Sequence, residues 1–238
     1  MKINASGDTA VIVEFGDEVD RNLSSRVLSA QACLANAELA GVIEVIPTFR
    51  SLMVQYDPLA TTSAQVIARI TPLISTAAIR KVQTRKWSVP VCYEEEYAAD
   101  ITDVAAATGN TTEQVVALHS DVSYHVYMLG FLPGFPYLGD LAPALHLPRR
   151  TNPRTRVPKG SISIATSLTS IYPFESPGGW HLIGTTPIEL FNVNDTPPAL
   201  FTPGDQIKFE SVSKPEFIDI SNQVSAGTYC LKPEVITT

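Results

Sequence analysis

Between residues 123 and about 212, proline or glycine interrupts the chain every few residues, so no long helix can form there. The runs between the breaks are short and alternating: YHVYML, SISIAT, SIYPF, WHLIG, IELFN and QIKFESV. Many short strands at close spacing predict a β-barrel or a compact sandwich. The sharpest break is FLPGFPYLG, residues 131–139. Pro133 and Pro136 lack amide donors and push Leu132 and Phe135 out of the α region. Pro133-Gly134 fits the two central positions of a type II turn. The same bend carries Phe131, Phe135 and Tyr137, so it forms either the lid of a core or the wall of a site.

The first part of the chain has a different texture. TAVIVEF (9–15) predicts a strand, and Asp20 can cap a helix whose stripe is Leu23, Val27, Ala30, Leu34 and Ala37. VIEVI (42–46) and SLMVQYD (51–57) predict two more strands. A second helix carries Val66, Ile67, Ile70 and Ile74 on one side, and Pro72 is expected to kink or end it. The order is β-α-β-β-α. KWSVPVCY (86–93) can complete a ferredoxin-like unit or open the next domain, and polar IRKVQTRK (79–86) reads as a linker. Over 100–120, Asp100 and Thr111 suit N-caps, Thr111 with Gln114 fits a capping box, and Gly109 separates two short helices. This pair has the outline of a helix-turn-helix but contains no Lys or Arg, which argues against DNA binding. The tail from Lys214 shows no clear pattern.

A formal charge of -7 gives a phosphate backbone nothing to attract, so nucleic acid is not the expected partner. Cys33, Cys92 and Cys230 are far apart, which suggests neither a disulfide framework nor a zinc site. Acidic residues early in the chain exclude a secretory signal, and no apolar run is long enough to span a membrane. A cytoplasmic protein is expected, with no metal or organic cofactor evident. The phosphate-loop and GxSxG signatures are absent, and the four histidines show no metal-ligand spacing. Ser211 and Lys214 match SxxK, but without its companion motifs.

Two further stretches carry chemistry. PRRTNPRTRVPKGS (148–161) gathers 5 of the 17 basic residues: Arg149, Arg150, Arg154, Arg156 and Lys159. Arginine forks suit carboxylate or phosphate, although such a run also serves as a solvated edge or a dock for an acidic partner. In YPFESPGGWHLIG (172–184), Gly178 and Gly179 permit a tight turn or close approach to a ligand, beside Tyr172, Glu175, Trp180 and His181. Loops on a rigid β scaffold are where binding groups usually sit.

LHSDVSYHVYMLGFLPGFPYLGDL, PRRTNPRTRVPKGSISIA, IYPFESPGGWHLIGTTP and PPALFTPGDQIKF, in this order, resemble the family of the 5-oxoprolinase B subunit, also called allophanate hydrolase subunit 1 or Kip-type kinase inhibitor. The resemblance implies an α+β protein. A ferredoxin-like domain over 1–83 would precede a cyclophilin-like β-barrel over 84–238, with the helical pair inserted near 100–120. It also implies partners, the C and A subunits of 5-oxoprolinase, with ATP as co-substrate of a reaction opening 5-oxoproline to glutamate. A sensor histidine kinase is the alternative partner, and an allophanate or urea system the alternative pathway. By position in the motifs, Arg149, Arg150, Arg154, Lys159, His119, Tyr172, Gly178, Gly179 and Trp180 are candidates for binding substrate or anion. Phe131, Phe135 and Tyr137 are candidates for a pocket or partner contact. The sequence departs from the family pattern at Glu94-Glu95, where glycines are common. It departs again at Lys159, often alanine, and at Ser163, Leu168 and Ser170, where the family is glycine-rich with a glutamine.

Overall fold

The computed structural model describes residues 1–76 and 83–237, which divide at Gln83 into two compact units. Of the expected linker, residues 79–82 lie outside the described residues and 83–86 begin a strand. Both units are mixed α and β.

The first unit is an antiparallel sheet of β1 (Lys2–Ser6), β2 (Ala10–Glu14), β3 (Val42–Pro47) and β4 (Ser51–Tyr56), in the order β1-β2-β4-β3. Helices α1 (Arg21–Asn36) and α2 (Ser63–Thr76) cover one face. Val11, Val13, Leu52 and Val54 alternate inward from the strands, and Val27, Leu34, Val66 and Ile70 meet them from the helices. Asp20 caps α1 by accepting from the amides of Asn22 and Leu23. Pro72 does not end α2, which runs on to Thr76 while the Thr71 and Ser75 hydroxyls bond back to carbonyls one turn earlier. The place beside β2 is filled by β1, a short polar strand that the pattern did not announce.

KWSVPVCY therefore opens the second unit. Its first six residues lie in β5 (Gln83–Val91), which pairs in parallel with β13 (Gln206–Ser211) and antiparallel with β14 (Glu234–Thr237). The remaining strands are β6 (Ser123–Leu129), β7 (Pro136–Gly139), β8 (Arg154–Val157), β9 (Ser161–Ala165), β10 (Leu168–Ile171), β11 (Ser176–Gly178) and β12 (His181–Thr185). Eight of the strands form one sheet ordered β12-β9-β10-β7-β6-β13-β5-β14, and β8 with β11 form a separate ribbon. The expected barrel does not close among the described residues: β12 and β14 remain edges, and a single bridge, Cys92 to Thr185, joins the ends of β5 and β12. IELFN is not a strand. It makes one bridge, Phe191 to Ala199, because the facing Pro197 and Pro198 have no amide to extend a ladder.

The helical pair is α3 (Ile101–Thr108) and α4 (Thr112–Ser120), with Gly109 left-handed between them and the Thr111–Gln114 capping box formed. The tail holds a further helix, α5 (Lys214–Ser225), begun by a Ser213–Glu216 capping box. Lys214 pairs with Glu96, so SxxK is not a nucleophile–base pair here.

Asp205 ties the long β13–β5 seam. Its carboxylate, 4% exposed, accepts from Arg85 through Nε (2.9 Å) and Nη2 (2.6 Å), from Trp87 Nε1 and from the Thr202 amide. Replacing Asp205 by Ala leaves a guanidinium, an indole and an amide without their acceptor. The expected loss is about 3 kcal/mol, read as a lower urea midpoint at unchanged slope.

Candidate functional site

The three bends that stand out in the sequence meet in the second unit. β8 and β11 bring PRRTNPRTRVPKGS and SPGGWHLIG side by side, with Ser176 opposite Val157 and Gly178 opposite Arg154. FLPGFPYLG closes on this ribbon through its rings. Phe135 lies edge-on to Tyr172 (5.2 Å) and Trp180 (6.2 Å), and Tyr137 meets Trp180 at 6.1 Å. Between them lies a cavity of about 340 Å³, walled by Phe135, Tyr137, Tyr172 and Trp180 with Arg149 and Phe131 at its rim.

The FLPGFPYLG bend is a double turn. The Leu132 carbonyl accepts from the Phe135 amide across Pro133-Gly134, and Gly134 has φ +77, as a type II turn requires. Just before it, the Leu132 amide donates to the Gly130 carbonyl, which puts Phe131 at the centre of a γ-turn with φ +69. A bulky residue in the left-handed region is strained. The strain places the Phe131 ring, 61% exposed, at the mouth, while Phe135 is 2% exposed and forms the inner wall. On the opposite wall only glycine fits at Gly178, since a Cβ there would lie 2.2 Å from the Tyr172 hydroxyl. Burial pushes the Tyr172 phenol up to about 12, so it stays protonated.

Asp100 fixes the basic stretch. It stands before α3 as an N-cap would, but its side chain does not cap the helix. The carboxylate, 2% exposed, instead receives Arg154 through both Nη atoms (2.8 and 2.6 Å), Arg150 Nη1 (2.7 Å) and the Leu182 amide (2.7 Å). Burial alone would raise this carboxyl. The hydrogen bond from Arg154, that from the Leu182 amide and the two guanidinium charges outweigh it and hold Asp100 below the usual carboxylate range.

The other candidates are placed as follows. Lys159 lies outside the cavity and pairs with Glu189 at an exposed site, as Arg156 does with Glu175. Gly179 lines the cavity, and its carbonyl accepts from the Arg150 amide. His119 is in the core at 0% exposure, stacked on Phe209 at 4.7 Å. The Thr169 hydroxyl donates to the Ser163 carbonyl, so it accepts from His119 Nε2–H, and Nδ1 accepts from Tyr93. Burial lowers His119 to about 3, and the ring is a neutral, satisfied core histidine. Ser163, Leu168 and Ser170 lie outside the cavity wall, and Ser170 donates to the Pro136 carbonyl behind it. No group of His, Cys, Asp and Glu among the described residues can hold a metal ion, and none of the helices is long and apolar enough to cross a membrane.

A two-unit α+β chain with an aromatic cavity on a β scaffold is the class these features define. Over residues 1–201 it matches the family described as "Carboxyltransferase domain, subdomain C and D", and it belongs to that family, with the proteins named as the B subunit of 5-oxoprolinase. It is 36% identical over 230 residues to the 5-oxoprolinase B subunit of Bacillus subtilis (strain 168), covering 91% of this chain and 95% of the relative. It is 42% identical over 164 residues to the Haemophilus influenzae protein of that name, covering 69% and 74%. The crystal structure of TTHA0988 superposes with a TM-score of 0.78 at 33% identity over 87% of this chain, which spans only 40% of TTHA0988. The K. lactis urea amidolyase shares the fold, with a TM-score of 0.84 at 21% identity over 99% of this chain and 16% of its own.

Phe135→Ala removes the inner wall and is expected to cost about 3 kcal/mol or more, whereas exposed, strained Phe131→Ala changes stability by less than about 1 kcal/mol, both by chemical denaturation. Because the folded-state carboxyl of Asp100 is depressed, its contribution is present above the unfolded value and is lost as pH falls through the folded one. The stability gap between the natural protein and Asp100→Asn is therefore expected to be widest above about pH 5, near 3 kcal/mol, and to close as the pH falls below about 4.

Proposed function

We propose that this chain is a subunit of an ATP-dependent 5-oxoprolinase, working with the A and C subunits to open 5-oxoproline to glutamate. The observation that carries the reading is the 36% identity spanning 95% of a protein named as the B subunit of 5-oxoprolinase. The finer fold description, ferredoxin-like then cyclophilin-like, goes with it. It is supported by the first unit's four-stranded sheet under two helices and by the eight-stranded antiparallel-rich sheet of the second.

The chemistry suits a divided site. A lactam carbonyl is a poor electrophile. Transfer of the ATP γ-phosphoryl to its oxygen releases ADP and activates the carbon; water then attacks that carbon, the C–N bond opens with a proton passing to the nitrogen, and the phosphoryl group leaves as inorganic phosphate. Among the described residues of this chain, the cavity offers aromatic faces and one guanidinium but no phosphate-cradling loop. Binding and orienting the ring is what such a wall does well, through offset stacking and exclusion of water. The phosphoryl-transfer groups then come from the partners. At about 340 Å³ the cavity lies at the small end of ligand pockets, which run from roughly 300 to 1,000 Å³.

The test is omission. Candidate A and C subunits from the same source are mixed with 5-oxoproline and ATP, with and without this chain, and glutamate and ADP are followed. Glutamate is expected only when this chain is present, and Trp180→Ala is expected to lower its rate by at least about tenfold. Turnover independent of this chain would contradict the proposal. Lowered autophosphorylation of a histidine kinase by this chain alone would favour the kinase-inhibitor reading instead.

A further inference from the structure

The basic stretch contains five cations, and the structure separates them. Arg150 and Arg154 share the carboxylate of Asp100, Arg156 pairs with Glu175 and Lys159 with Glu189. Arg149 has no ion pair among the described residues. It is also the one of the five that lines the cavity, with its guanidinium carbon 5.9 Å from the centre of the Trp180 ring. An unpaired guanidinium at the edge of an otherwise aromatic cavity attracts an anion and gives it a direction. Two more polar groups on the same wall, the Tyr172 hydroxyl and the Trp180 Nε1–H, make no hydrogen bond to a described residue and are not sealed from solvent. Arg149 and the Trp180 indole can only donate, and the Tyr172 phenol stays protonated. The cavity wall thus presents one guanidinium, three donor groups and flat apolar faces.

That inventory selects a ligand. A triphosphate carries several negative charges and needs several cations or a metal, whereas a single guanidinium balances one carboxylate. A small flat ring bearing one carboxylate and one carbonyl has the matching set of acceptors. The geometry points to Arg149 as the residue that recognises the carboxylate of a cyclic amide acid, with the ring against Trp180 and the nucleotide's phosphates held outside this cavity. The inference rests on the 5-oxoprolinase reading for the identity of the ring. It goes beyond that reading in assigning the carboxylate to one side chain. Arg149 is exposed and lies outside the Asp100 cluster, so it can be replaced without disturbing that cluster.

The test is direct binding to the full chain, which needs neither partners nor turnover. Trp180 fluorescence is followed in a Trp87→Phe background while 5-oxoproline, pyrrolidin-2-one or ATP is added across the millimolar range. Saturable binding of 5-oxoproline is expected. Arg149→Gln should weaken it by about tenfold or more, while leaving the weaker binding of pyrrolidin-2-one, which lacks the carboxylate, almost unchanged. No saturable binding of 5-oxoproline, equal affinity in Arg149→Gln, or displacement of 5-oxoproline by ATP would each overturn the assignment. Calorimetry on the chain with both natural tryptophans gives the same readout if Trp87→Phe unfolds it. Failure here alongside glutamate formation that requires this chain would locate the carboxylate site on a partner and leave the subunit reading standing. Binding here without turnover in the omission assay would do the reverse.

Discussion

The buried carboxylate of Asp100 organises the site. Two guanidinium groups and one backbone amide converge on it, from residues 50, 54 and 82 positions away. Its two oxygens hold the start of β8, the segment before it and the first residues of β12 in one place. Removing such a charge from water is costly, and only this number of donors makes the burial tolerable. The consequence is selective. Arg150 and Arg154 are taken up as structure, and their neighbour Arg149 is left over Trp180 with its charge unpaired among the described residues.

The aromatic wall answers to a second constraint, backbone geometry. Pro133-Gly134 makes a tight turn that buries Phe135, and the γ-turn before it holds Phe131 in a strained conformation facing outward. A residue so placed contributes little to the core, so the strain has no obvious use in stability. It fits a role at the mouth of the cavity, where a ring beside an entering ligand or partner has value. Gly178 serves from the other side by letting the Tyr172 hydroxyl approach the ribbon closely.

Much of this was legible in the sequence wherever the cause is local. The helices of the first unit, the Pro133-Gly134 turn, the capping box of Thr111 and Gln114 and the inward alternation of Leu52, Val54 and Tyr56 all follow from neighbouring residues. The convergence of the three bends was visible only as likeness in texture, and their pairing through β8 and β11 was not. Asp100 reads locally as a helix cap because its partners are far along the chain. The family resemblance offers His119 as a candidate for binding substrate or anion, yet Phe209, Tyr93 and Thr169, from three separate segments, enclose it in the core. IELFN had the alternation of a strand but not the facing donors. The α5 helix was signalled by Ser213 and Glu216, a cue short enough to be passed over.

Where one small acid sits is the central question. A crystal structure of the chain grown with saturating 5-oxoproline measures that directly. The predicted result is density for one molecule in the cavity, its carboxylate on the Arg149 guanidinium and its ring face against Trp180, with the Asp100 cluster unchanged. An empty cavity with the ligand ordered elsewhere on the chain, or Arg149 turned away from a bound ligand, would contradict it.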